Sequence, residues 1–134
     1  MPNLTPEQAR LALDAAIAKA NEIGSPSSIA IVDGGRNLLA FARMDGALLA
    51  SIEISQGKAF TARSMNMNTR DIGPLTQPGQ PLYGIETSHS RPIITFGGGR
   101  PIAIGGEVVG AVGVAGGLVD QDDEVASAAV AAVG

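Results

Sequence analysis

Three short apolar runs, Pro92 to Phe96, Pro101 to Ile104 and Val108 to Ala115, follow one another with only Gly97-Gly98-Gly99-Arg100 and Gly105-Gly106-Glu107 between them. Parallel strands need a crossover of about a dozen residues or more, and neither connection approaches that length. Read as strands, the runs must pair antiparallel through tight glycine turns. A βαβ unit is excluded from this half of the chain.

The first half supplies helices and a hairpin. Thr5-Pro6-Glu7-Gln8 starts a helix: Thr5 caps, Pro6 suits the first helical position and Gln8 completes a capping box. Ala9, Leu13, Ala16, Ile17 and Ala20 then share one face, which predicts a helix to about Glu22 with a stop at Gly24. Ile29 to Asp33, a Gly34-Gly35 turn and Asn37 to Arg43 read as a β-hairpin. Asp45 caps a second helix predicted over Ala47 to about Met65. This helix is built mostly of small residues, so it is expected to be covered on two sides, one of them by another subunit. Asn66 to Arg91, with three prolines and three glycines, is expected to be irregular apart from a helical turn capped by Thr69. Asp120 opens a last helix that ends near Gly134.

This order predicts one α+β domain over residues 1–134, with a five-stranded, largely antiparallel sheet and packed helices. The 134 residues suffice for one core. Aromatic residues make up only 3% of the chain, against 45% hydrophobic residues and 18 glycines, so close backbone approach must replace bulky anchors.

The net charge is −4 and the basic residues are scattered, which speaks against nucleic acid and anionic membranes as partners. With no Cys and a single His, one subunit offers neither thiolate chemistry nor a multi-His metal site. The amino terminus has no basic stretch leading into an apolar run, and the expectation is a cytoplasmic protein.

Val32-Asp33-Gly34-Gly35, then Arg43-Met44-Asp45-Gly46-Ala47, Lys58-Ala59-Phe60-Thr61-Ala62, Gly97-Gly98-Gly99-Arg100-Pro101, and Gly110 to Gly117 followed by Gln121-Asp122 span nearly the whole chain. In this order and spacing they resemble the GlcG/HbpS family, the haem-degrading domain family, and also the carboxy-terminal domain of PduO-type corrinoid adenosyltransferases. The resemblance implies a profilin-like or PAS-like sandwich, a symmetric homo-oligomer and, in some members, haem binding or degradation. It also includes members encoded beside catabolic enzymes.

Several residues carry chemistry on two readings each. Ser51, Ser55 and Lys58 share a helical stripe that suits an anionic ligand such as a haem propionate; otherwise Lys58 is a buried structural partner of a carboxylate. Arg43 and Asp45, at a strand-to-helix edge, suit a carboxylate clamp; otherwise they form a cap and an ion pair. Arg63 is a further cation for a ligand's carboxylates. Gly97, Gly98 and Gly99 offer backbone N–H groups to an oxyanion, or simply turn the chain. His89 is the one nitrogen suited to iron ligation or to general acid/base work near neutrality. Asp120, Asp122, Asp123 and Glu124 read as acids at a helix start rather than as a metal site.

Three functions follow from these residues. The first is a small-molecule-binding protein for haem or a related acidic ligand. The second is a cofactor-independent enzyme on a small acidic catabolic metabolite, with Lys58 or Glu53 as base and Arg43 as anion clamp. The third is an oligomeric accessory protein.

Overall fold

A computed structural model describes residues 2–134. Helix α1 (Pro6–Glu22) opens on the expected capping box, with the Thr5 hydroxyl accepting from Gln8 N at 3.1 Å and Gln8 Oε1 accepting from Thr5 N at 3.0 Å. Its buried face is Ala9, Ala12, Ala16 and Ala20, and the chain leaves it through Gly24 at φ +66°.

Strands β1 (Ser28–Asp33) and β2 (Leu38–Arg43) form the predicted hairpin. The Asp33 carboxylate organises its turn by accepting from the backbone N–H groups of Gly35 and Asn37. Helix α2 (Ser51–Met65), the short α3 (Thr69–Ile72), strands β3 (Gly99–Ile104) and β4 (Glu107–Ala115), and α4 (Val119–Val133) complete the fold.

Among the described residues the sheet has four strands in the order β2-β1-β4-β3, every neighbour antiparallel. The fifth expected strand, Pro92 to Phe96, is absent. Pro92 has no N–H to give a ladder. Ile94 N–H goes to the Thr61 hydroxyl of α2 at 2.9 Å and Ile93 N–H reaches the Glu86 carbonyl, so this segment lies along a helix instead of beside a strand. Gly97 to Gly99 therefore lead into β3 and do not form a hairpin turn.

Helix α2 starts four residues later than expected, because residues 45–50 are tied up in turns: Ala47 N–H bonds the Met44 carbonyl and Ser51 N–H the Leu48 carbonyl. Asp45 is thus not its cap. Thr69 likewise does not cap α3, since its hydroxyl accepts from Gly99 N at 2.9 Å.

The two faces of the sheet are unequal. Ile29, Ile31, Ile102, Val112 and Val114 pack against the alanines of α1 and against Val125, Ala126 and Ala129 of α4. The opposite face offers Ala30, Val32 and Ala111 to Ala59 and Ala62 of α2. There the backbones nearly touch: a Cβ on Gly113 would overlap the Ser55 carbonyl. The small-residue core read from composition is realised on both faces, by the alanines of α1 and α4 on one and by close backbone approach at α2 on the other.

Candidate functional site

Lys58 points into the molecule and is 1% exposed. Its ammonium donates to the Val114 carbonyl at 2.8 Å and to Asp122 Oδ2 at 3.1 Å, and lies 5.1 Å from the Phe96 ring centroid. An ammonium has three N–H donors, so two hydrogen bonds and one cation–π contact account for it. Gly98 closes over the group, leaving space for no side chain of its own: a Cβ there would sit 2.7 Å from Nζ. Burial pulls the pKa of Lys58 below the free-lysine value of 10.5, and Asp122 opposes that shift.

The rest of the predicted stripe also faces inward. Ser51 bonds the Ser28 hydroxyl at 2.7 Å, and Ser55 donates to the Ile52 carbonyl. Gly97, Gly98 and Gly99 are buried, Gly98 and Gly99 against Lys58 and Gly97 against Val119 and Arg70, and the Gly99 N–H is taken by Thr69. Of the acids at the start of α4, Asp122 holds Lys58, while Asp123 receives Arg100 through two hydrogen bonds and Arg70 through one. These two are interior ion-pair partners as well as neighbours of the helix dipole. Among the described residues no group of three or more metal-ligating side chains occurs.

Arg63 donates to the Gly34 carbonyl and to Asn66, bracing the hairpin turn. Arg43 ends β2 on the exposed edge, and Asp45 lines a separate hollow with Ile17, Asn21, Ser25 and Met44. Neither has an ion-pair partner among the described residues.

Glu53 and His89 do lie on one surface, the outer face of α2. Glu53, Ile54, Gln56 and Gly57 form one wall of a groove of about 480 Å³, and Arg91, Pro92 and Ile94 form the other. Gly57 lets the second wall lie close, since a Cβ there would come 3.0 Å from Ile94.

One helical turn further on, Phe60 is covered by two guanidiniums, Arg91 at 4.4 Å and Arg36 at 4.8 Å, while the His89 ring meets it edge-on at 5.9 Å. The Ser88 hydroxyl lies 2.8 Å from His89 Nδ1, and His89 is exposed. Among the described residues no carboxylate pairs with Arg36 or Arg91. Arg36 also donates to the Ser64 hydroxyl at 3.1 Å. The face therefore combines positive charge that no carboxylate neutralises, one imidazole and an apolar floor, a set that suits a planar anion.

Residues 4–131 match the family described as haem degrading protein HbpS-like. The chain belongs to the GlcG/HbpS family. An uncharacterised 15.0 kDa protein from the dhaT-dhaS intergenic region of Citrobacter freundii is 44% identical over 113 residues, 84% of this chain and 80% of that one. The crystal structure of Klebsiella pneumoniae protein ORFY is similar with a TM-score of 0.96 at 39% identity, covering 99% of this chain and 92% of that one. The PduOC structure, solved as a complex with haem, is similar with a TM-score of 0.92 at 35% identity, covering 97% and 94%.

The GlcG/HbpS motifs visible in the sequence serve packing in large part: Gly98, Gly99, Gly113 and Lys58 interlock α2 with the ends of β3 and β4. Arg36, Phe60 and Arg91 were not singled out as site residues from the sequence. The available signal was Arg91 two residues after the lone His; nothing local tied Arg36 to either.

Proposed function

We propose that the chain binds haem, or a haem-like planar dianion, on the outer face of α2. The observation that carries this reading is the cluster of His89, Arg91, Arg36 and Phe60 at the end of the α2 groove. Haem needs a ligand atom for iron, apolar surface for the macrocycle and cations for its propionates. The chain offers the imidazole of its one His, Ile54, Pro92, Ile94 and the backbone of Gly57, and two guanidiniums, Arg36 and Arg91, that no carboxylate pairs with among the described residues, although Arg36 also donates to the Ser64 hydroxyl. When bound, haem would supply a redox-active iron.

The residues' own tasks follow from their contacts. Ser88 holds His89 through Nδ1 and leaves Nε2 for iron. Arg91 and Arg36, already stacked on Phe60, are preorganised to receive carboxylates. The haem complex of PduOC, a relative of the same fold, supports the reading. The groove volume falls within the range of about 300–1,000 Å³ usual for ligand sites.

The test is haem titration of the purified protein, followed by Soret absorbance. We expect saturable binding that weakens about tenfold or more in His89→Ala and in Arg91→Ala, the loss of one charge-assisted contact. Arg43→Ala and Arg63→Ala should bind as the unaltered chain does. No saturable spectral change, or equal effects of all four substitutions, would sink this proposal.

A further inference from the structure

A second hollow, of about 550 Å³, opens against α4 and shares no lining residue with the α2 groove. Its floor is one face of α4, because Asp120, Asp123, Glu124, Ser127, Ala128 and Ala131 follow one another at three- and four-residue spacings. Arg70 from α3 and Arg100 from β3 converge on Asp123, and Lys19 from α1 stands at Glu124.

The charges here do not cancel pair by pair. Lys19 is shared between Glu22 at 2.6 Å and Glu124 at 3.7 Å. The buried Asp123 carboxylate takes Arg100 Nε at 2.9 Å, Arg100 Nη2 at 2.6 Å and Arg70 Nη1 at 3.1 Å. One carboxylate neutralises one of these two guanidiniums. Asp71 stands 3.9 Å from Arg70 Nε, too far for a hydrogen bond, and both side chains are more than half exposed, so that pair contributes little. Arg70 therefore keeps most of its charge. Asp120 has no ion-pair partner among the described residues, Arg70 included. Hydrogen-bond donors are left over as well, since Arg100 Nη1 and Arg70 Nη2 are not committed to Asp123.

A simple anion in this hollow would meet Asp120 and Glu124, and a simple cation would meet two guanidiniums. A ligand with both charges close together matches both ends. Asp120 lies three residues before Asp123, about 5–6 Å between Cβ atoms, which brings the unmatched acid and the converging guanidiniums within reach of groups on one carbon. We propose that the hollow binds a free α-amino acid with a small apolar side chain. Its carboxylate takes the uncommitted Arg70 and Arg100 donors, its ammonium faces Asp120, and its side chain lies along Ala128 and Ala131. Asp123 is the positioning residue, holding the two guanidiniums side by side. Nothing in this inference rests on haem binding.

The experiment is a nuclear magnetic resonance titration of the haem-free protein with L-valine, followed at the backbone amides of Ser127 and Ala128. These should shift saturably. Arg70→Gln and Asp120→Asn should each weaken binding about tenfold, the loss of one charge-assisted contact. Both positions are exposed, so the variants should keep the wild-type circular dichroism. Isovalerate, which is valine without its ammonium, and isobutylamine, which is valine without its carboxylate, should each bind at least about tenfold more weakly than L-valine. Absence of saturable shifts, either single-charge analogue binding as tightly as L-valine, or either variant binding as the wild type does would overturn the proposal.

Discussion

Lys58 illustrates how far a single residue's role depends on which way its helix faces. Its spacing from Ser51 and Ser55 fits either an open anion site or an interior ion pair, and the structure places it in contact with Val114, Asp122 and Phe96. A buried pair that loses one member leaves an uncompensated charge, a cost of about 3–5 kcal/mol. Asp122→Ala should therefore destabilise the chain by that order at pH 7 in chemical denaturation. The folded-state pKa of Lys58 lies below 10.5, so the folded chain holds fewer protons than the unfolded one between those two values, and the stability contributed by this group rises with pH up to 10.5. Once pH has risen through that lowered pKa, a neutral Lys58 no longer needs its counter-charge, so the Asp122→Ala penalty should shrink as pH approaches 10.5. An equal penalty at both pH values would mean that Asp122 acts through the Gly117 N–H it also accepts, not through Lys58.

Elements whose signals are local were readable from the sequence. The Thr5–Gln8 box and Gly24 bound α1 as expected, and Thr5→Ala should lower the melting midpoint by the equivalent of about 1 kcal/mol. The hairpin and the β3–β4 turn were equally legible, the latter because Gly105 and Gly106 both take positive φ, whereas in the hairpin turn the left-handed residue is Arg36 and not Gly34 or Gly35. Elements decided by tertiary partners were not. Pro92 to Phe96 has strand composition, yet Thr61 and Glu86, 33 and 7 residues away from their bonded partners, take its N–H groups. Asp45 has cap chemistry, but the helix waits for Ser51, whose hydroxyl is anchored by Ser28 across the fold. The candidate site divides in the same way. Glu53 and His89 were visible as residues, while their meeting on α2 depends on where the long connection after Asn66 returns. Packing of α2 gives a sharper check: Gly113→Ala drives a methyl into the Ser55 backbone, and an overpacked core should cost about 1–3 kcal/mol.

At the scale of the molecule, α2 separates two kinds of polar chemistry. Its sheet-facing side ends in the Lys58–Asp122 pair, which links α2 to the start of α4 past the end of β4, and its outer side carries the groove and the His89 cluster. Sites that share no partner respond independently to substitution. Replacing the ion pair as a whole, Lys58→Met with Asp122→Leu, removes both buried charges together and should leave stability within about 2 kcal/mol of the unaltered chain, in either direction. Haem affinity in that double variant should stay within about twofold, while His89→Ala loses binding with little change in stability. The crossed pattern separates the two roles, because an internal strut and a ligand contact move different readouts. Were the double variant to keep its fold and lose the ligand, Lys58 would have to reach the groove in the bound state, and the Gly98 and Phe96 cover over its ammonium would have to open on binding.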